Sequence, residues 1–348
     1  MVDILKYSVG IDVASEELKA GFGYLSKELL SKKGKARNFA NTQSGYKSLH
    51  TWISKQRHQK QTEVSIIMEA TGVYHENLAH YLYDKGYQIY VVLPNKAKSY
   101  LQSLGLRSKT DPIDCGGLTQ MGLDQQHLDK WHPPSPIMRQ LRALTRHRQR
   151  LQEQITAVNN QIHAINSGFY DCKQVRTQLK KTITFHKNQI KQVEKEIDNL
   201  LNQQPELKAK VEKIVNSIKG IGTLTLVTII AETNGFQMFS SIQQLIKYAG
   251  YDVIEHQSGK RRGKQHISKK GNSRIRRALH MPALNMVAYN TGTFPQTYER
   301  IFETTKVKMK AYVAIQRKLL CLLYTLWKKD EAFDPNYISS LSKNHTLV

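Results

Sequence analysis

Between residues 64 and 93 the chain runs strand, helix, strand, and that order constrains the fold more than any other feature. Val64-Ser65-Ile66-Ile67-Met68-Glu69 is a short apolar run that ends in a glycine turn at Gly72, the pattern of a buried strand. Residues 74–85 predict a helix, and Gln88-Ile89-Tyr90-Val91-Val92-Leu93 predict another buried strand, stopped by Pro94. Buried strands joined through a helix pair in parallel, so the first third of the chain is expected to form an α/β sheet. Residues 7–24 read as two strands around a turn. Residues 43–58 read as a helix with Tyr46, Leu49 and Ile53 on one side, and 95–106 as a further helix.

Four acids stand at informative places in this frame. Val9, Ile11 and Val13 alternate with Gly10 and Asp12, so Asp12 points to the face opposite the aliphatics. Aspartate is disfavoured in mid-strand, although a strand-end or turn aspartate is the plainer reading. Glu69 closes its strand, either exposed in the loop or aimed at a site beside the sheet edge. Lys109-Thr110-Asp111-Pro112-Ile113-Asp114 then sets two carboxylates one helical turn apart, with a proline suited to the first helical position. The same pattern also serves simply to start a helix, with Asp111 as cap and both carboxylates at the positive end of the dipole. Acids from different elements that meet at one end of a sheet repel one another unless cations bridge them. Oxygen-only ligands select Mg²⁺ or Mn²⁺ over zinc, and two such ions clamp the attacking and leaving oxygens of a phosphodiester.

Charge supplies the partner class. Lys and Arg number 52 against 28 Asp and Glu, a net charge of +24. That excess opposes compaction unless a polyanion shares the surface, which points to nucleic acid ahead of an anionic membrane. No apolar run approaches a membrane span of roughly 20 residues. No signal-peptide pattern opens the chain. Cys115, Cys172 and Cys321 are scattered, as free thiols of a reducing compartment are.

Pro133, Pro134 and Pro136 break the chain into a new region. Leu141, Leu144, Leu151, Ile155, Val158, Ile162 and Ile165 keep a 3–4 spacing interrupted by Arg148. Leu179, Ile183, Ile190, Val193, Ile197 and Leu200 repeat it, interrupted by His186. These are heptad seams, and the turn signal Asn166-Ser167-Gly168-Phe169 between them predicts an antiparallel helical hairpin. The seams either serve one chain or also pair with a second subunit. Lys219-Gly220-Ile221-Gly222 before an apolar helix looks like a helix-hairpin-helix, whose glycines let amides approach a phosphate. They could equally form a tight turn between helices. From Ser258 to His280 there are nine Lys or Arg and no acid: Lys260, Arg261, Arg262, Lys264, Lys269, Lys270, Arg274, Arg276 and Arg277. Such a block suits phosphate. Within it Ser258, before Gly259, and Ser268, before Lys269-Lys270, are each a phosphate donor or a nucleophile. Helices over 275–290 and 307–328 are expected to be structural, and 336–348 a polar, frayed tail.

The strings GIDVASEEL, IIMEATGVYHENL and VVLPNKAKSYLQSLGLRSKTDPID, with their acids in this order, resemble the DEDD transposases of bacterial insertion sequences. Relatives of that family include Piv-type DNA invertases and bridge-RNA-guided recombinases, and the resemblance covers about residues 5–330. It implies an α/β ribonuclease-H/RuvC-like domain over 1–125, in which Asp12, Glu69, Asp111 and Asp114 bind Mg²⁺ or Mn²⁺. An α-helical coiled-coil arm over 126–205 follows, then a mainly α transposase domain with a helix-hairpin-helix-like segment over 206–330, and a tail over 331–348. Cys115-Gly116-Gly117 departs from the pattern, since two glycines cost roughly 1 kcal/mol each in a helix, so this helix is expected to be short or bent. The family has a catalytic serine in the last domain. The Ser-Gly-basic context fits Ser258 better than Ser268. The resemblance further implies DNA as substrate, a structured guide RNA, a homodimer or homotetramer acting in trans, and a cytoplasmic, nucleoid-associated location with no membrane partner. A metal-dependent nuclease without a covalent step, such as a junction resolvase, and a non-catalytic nucleic-acid-binding protein are the alternatives.

Overall fold

Alternating burial builds the first strand as expected. In the computed structural model, which describes residues 3–70, 72–105, 111–125, 128–169, 172–255, 257–258, 261–263 and 265–335, Val9, Ile11 and Val13 are buried on one side of strand β1 (Ile4–Val13). For residues 111–113, 257, 258, 261 and 262 the description extends to the backbone only. The chain divides into two compact units, residues 1–133 and 134–348.

In the first unit β1 turns through residues 14–16 into antiparallel β2 (Glu17–Ser26). The short strands β3 (Ser31–Lys33) and β4 (Arg37–Ala40) both add to β2. Helix α1 (Gln43–Gln56) is capped by Thr42, whose hydroxyl accepts from the Gly45 N–H at 3.3 Å. Strand β5 (Val64–Glu69) lies parallel to β1. Helix α2 (Glu76–Asp84) leads to β6 (Gln88–Val92), parallel to β5. Helix α3 (Pro94–Ser103) opens on proline, and α4 (Asp111–Asp124) follows. The sheet order is β3-β2-β1-β5-β6.

Each face of this sheet has its own core. Val9, Ile11, Val64, Ile66 and Met68 pack with Leu49 and Ile53 of α1 and Leu78 and Leu82 of α2. On the other face Ile67 and Val92 pack with Ala97, Leu118 and Met121. Each such side chain contributes about 1.5–3 kcal/mol of burial, so both helical layers are firmly held. The expectation that α4 would be short is not met, because the helix runs 14 residues. The reason is close approach: a Cβ on Gly122 would meet the Ser8 Oγ at 2.2 Å, so this glycine lets the helix sit on the sheet.

The second unit is mainly helical. Helix α5 (Pro136–Ser167), capped by Ser135, and α6 (Lys173–Asn202) form a long hairpin. Its direction is antiparallel, since Arg148 pairs with Glu194 and Asn166 accepts from Arg176. The seam is buried at Leu151, Ile155, Ile190, Val193 and Ile197, and only half-buried toward the turn, at Ile162, Ile165, Leu179 and Ile183. Helices α7 (Pro205–Ser217), α8 (Thr223–Glu232) and α9 (Ile242–Ala249) follow. Short antiparallel strands come next: β7 (Val253–Ile254) with β10 (His266–Ile267), and β8 (Gln257–Ser258) with β9 (Arg261–Arg262). The helix expected over 275–290 is two, α10 (Ser273–Ala278) and α11 (His280–Ala288). Pro282 has no N–H for the Ala278 carbonyl, which accounts for the break. Helices α12 (Phe294–Thr305) and α13 (Lys308–Lys329) complete the unit. One continuous core joins Leu151 and Ile190 at the hairpin base to Leu226, Leu279 and Leu319. Among the described residues no helix is long and apolar enough to cross a membrane.

Candidate active site

Alternation and helix direction place three acids of the first unit, Asp12, Glu69 and Asp114, on one side of the sheet. Ser8, Gly10 and Asp12 share one side of β1, and Ile67 and Glu69 share the corresponding side of β5. The register runs to Ile11 opposite Met68, so Asp12 and Glu69 stand side by side just past it, at the carboxyl ends of parallel strands. Helix α4 covers that same side and runs against β1. Its Gly122 lies by Ser8, and a Cβ on Gly10 would meet the Thr119 N at 2.2 Å and the Cys115 O at 2.3 Å. Asp114 directly precedes Cys115, and this direction carries it to the level of Asp12. The buried Thr119 hydroxyl fixes the arrangement. It accepts from the Gly10 N–H at 3.1 Å and lies 2.8 Å from the Cys115 carbonyl and 3.1 Å from that of Gly21.

Two of these acids bear on the same neighbouring side chain, Cys115. The Cys115 thiol is pushed up to about 11, first by burial, then by the Asp12 charge, with a smaller push from Asp114. The Lys19 cation, opposite Asp12 on β2, and the Gly116 N–H act the other way. A thiol held protonated at neutral pH offers no soft thiolate, so the donors here are carboxylate oxygens, the set that suits Mg²⁺ or Mn²⁺. Asp12, Glu69 and Asp114 are each half-buried. Among the described residues no group of three or more His, Cys, Asp or Glu is already closed tightly enough to hold a metal ion. The Asp111 backbone opens α4, and its side chain lies outside the described residues. Sequence reasoning missed Lys19 and Thr119. A threonine one turn beyond Cys115, opposite a glycine-bearing strand, was the available signal.

In the second unit the basic segment is built around a buried acid. The Glu232 side chain has no exposed surface. Its carboxylate accepts from Arg146 Nε and Nη2 at 2.7 and 2.8 Å and from Asn272 Nδ2 at 2.8 Å, with Arg274 Nε at 4.0 Å. Burial alone would raise its pKa. The hydrogen bond and charge of Arg146, with Asn272 and Arg274, outweigh that and leave the carboxyl below its usual range. Asn272 in turn caps α10, accepting from the Arg274 and Ile275 N–H groups. Arg276 donates to the Ala249 carbonyl at 2.8 Å, and Arg277 pairs with Glu153. Three arginines of the basic block therefore have partners within the chain, while Lys269 and Lys270 are exposed.

The two candidate serines differ in setting. Ser258 pairs in register with Arg261 in the β8–β9 ladder, and its side chain lies outside the described residues, as do those of Arg261 and Arg262 and the whole of Lys260 and Lys264. Ser268 donates from its hydroxyl to the Asp252 carboxylate, accepts from the Lys270 N–H at 3.3 Å, and its own N–H donates to the Asp252 carbonyl at 2.8 Å. Asp252 and Glu232 carried no signal in the sequence reading. The Lys219–Gly222 turn joins α7 to α8. Gly220 has φ +105°, and a Cβ there would meet Met286 Cε at 2.9 Å, so its packing against α11 explains the glycine.

Comparison with known proteins supplies the class. Residues 9–170 match a transposase family model of the DEDD, IS110 type, and residues 212–299 match that of the transposase IS116/IS110/IS902 family. The chain is therefore a transposase, an enzyme that cuts and rejoins DNA. It belongs to the IS110 family. Over 330 residues it is 29% identical to the pilin gene-inverting protein of Moraxella bovis and equally to that of Moraxella lacunata, over 94% of this chain and 98% of each relative. Two solved structures of Thermus thermophilus RuvC, one in complex with a Holliday junction substrate, align at 13% identity and a TM-score of 0.25. They cover 32% and 34% of this chain and 90% and 97% of theirs.

Proposed function

We propose that this transposase works with a metal-holding acid centre in its first unit and a serine nucleophile, Ser258, in its second. The observation that carries the reading is geometric: Asp12 and Glu69 lie just past the last rung of adjacent parallel strands, and α4, which bears Asp114, packs on that same side through Gly10 and Thr119. The strand order and directions of the first unit support a ribonuclease-H/RuvC-like domain over 1–125. The hairpin is read as a coiled-coil arm over 126–205, and 206–330 as the serine-bearing domain, followed by the tail 331–348.

Asp12, Glu69, Asp111 and Asp114 would hold Mg²⁺ or Mn²⁺, which when bound stabilises charge on phosphoryl oxygens and orients the reacting strand. The Ser258 oxygen forms a bond to phosphorus as the bond from phosphorus to the departing sugar oxygen breaks. The serine proton passes to a base, and the departing oxygen gains a proton. One phosphoester bond replaces another, so the phosphoserine link conserves what rejoining needs. Lys260, Arg261, Arg262, Lys264, Lys269 and Lys270 neutralise phosphates, together with the Lys219-Gly220-Ile221-Gly222 turn, whereas Arg274, Arg276 and Arg277 serve first to hold the segment through their partners within the chain. The family resemblance adds a structured guide RNA and a homodimer or homotetramer that acts in trans. Ser268 is the second reading, favoured by its hydroxyl's bond to the Asp252 carboxylate, a base within reach.

Trapping tests this. Incubation with Mg²⁺ and DNA of the element's ends should give a protein–DNA adduct on a denaturing gel, mapped to Ser258 and absent from Ser258→Ala. Cut DNA with no adduct would instead establish direct hydrolysis. An adduct that disappears only in Ser268→Ala would move the nucleophile there.

A further inference from the structure

The β1–β5 ladder runs from Tyr7–Val64 to Ile11–Met68, so Asp12 and Glu69 stand beyond its last rung. A side chain from a third element spans the two strand ends there. Asn41, between β4 and α1, donates from Nδ2 to the Ala14 carbonyl at 2.8 Å, two residues past Asp12. The same Nδ2 donates to the Tyr74 carbonyl at 3.2 Å, in the loop after Glu69. Its Oδ1 accepts from the Tyr46 hydroxyl at 2.6 Å, and its backbone N–H donates to the Glu16 carbonyl at 2.8 Å. The base of this staple is stiff. Thr42 caps α1 directly after it, and a Cβ on Gly45 would meet the Ala40 carbonyl at 1.9 Å.

We propose that Asn41 is a positioning residue for the acid centre. It ties the segment after Asp12 to the segment after Glu69 and thereby sets the separation of the two carboxylates. The inference rests on the reading of those acids as the metal-holding site. Only a side-chain amide does this job at this size. It offers two N–H donors to two carbonyls from different loops and one acceptor to the tyrosine that orients it. Aspartate would face both carbonyls with negative charge, and alanine would remove both bonds between the two segments. Groups that orient metal ligands at one remove shift affinity or activity by about 10–100-fold. Asn41 acts through backbone rather than on the carboxylates, so the low end of that range is expected.

The experiment uses the full chain and two readouts: Mn²⁺ binding without DNA, by titration calorimetry or electron paramagnetic resonance, and Mg²⁺-dependent cleavage of element-end DNA. Asn41→Ala should weaken Mn²⁺ binding about tenfold and raise the half-maximal Mg²⁺ concentration by a similar factor. DNA affinity in metal-free buffer should not change. Tyr46→Phe, which removes only the hydroxyl that orients Asn41, should move both quantities the same way by a smaller factor. Asp12→Ala runs in parallel. If it retains Mn²⁺ binding and cleavage, the metal-site reading itself fails. If Asp12→Ala loses both while Asn41→Ala binds Mn²⁺ as wild type does, the staple is overturned and the metal site stands. Should Asn41→Ala fail to fold, unchanged Mn²⁺ affinity in Tyr46→Phe overturns the proposal.

Discussion

The N-terminal unit holds its acid-bearing helix by closeness of backbone, and the C-terminal unit holds its basic segment by ion pairs. Helix α4 sits on β1 because Gly10 and Gly122 leave no side chain between them and Thr119 bonds across the join. The start of α10 sits where it does because the buried Glu232 collects Arg146 from α5, Asn272 and Arg274. The contrast separates charges by their work. Carboxylates at strand ends are set in place through the main chain of their strands and of the helix packed on them. The carboxylate in the second core is consumed by its partners, and with it part of the positive charge of the basic block.

The contrast predicts different sensitivities. The largest effect should come from added volume in the first unit. Gly10→Val must push α4 off the sheet and should cost about 3 kcal/mol, the upper part of the overpacking range. Native-state hydrogen exchange should show the loss of protection in residues 4–124. A loss spread equally over both units would break the comparison. Next comes loss of charge in the second unit. Glu232→Gln keeps the shape but faces Arg146 with a neutral amide, and should cost about 2 kcal/mol near neutral pH. Because the folded-state pKa of Glu232 is depressed, its contribution is present above the unfolded value of about 4.3 and is lost as pH falls through the folded value. The difference between variant and wild type should therefore shrink on acidification below that range, as read by chemical unfolding. A difference that persists or grows there would refute the ion-pair account. The smallest effect belongs to Arg277→Ala, under about 0.5 kcal/mol, since Arg277 and Glu153 are 58% and 49% exposed.

Much of this was legible in the residues, and the failures have physical reasons. Alternation at Val9–Val13 and the apolar runs at 64–69 and 88–92 located the strands, because burial on a sheet leaves a period of two. Strands β3 and β4 escaped notice because their residues are almost all exposed. The extent of α4 was underestimated because Gly116 and Gly117 were weighed by helix propensity alone. The sheet-facing glycines Gly10 and Gly122 instead give the helix a seat. Paired two-residue strands within 253–267 carry no periodic signal in a lysine- and arginine-rich segment. The break at Leu279 was readable from Pro282. The order of the acids was visible, but which side of the sheet Asp114 falls on depends on helix direction, which only packing reveals.

Anomalous diffraction from crystals of the full chain soaked in Mn²⁺ tests the central claim most directly. The account predicts a manganese peak bounded by the carboxylates of Asp12, Glu69 and Asp114, lost in Asp12→Ala. Manganese bound elsewhere, with that end of the sheet bare at saturating concentration, would contradict it.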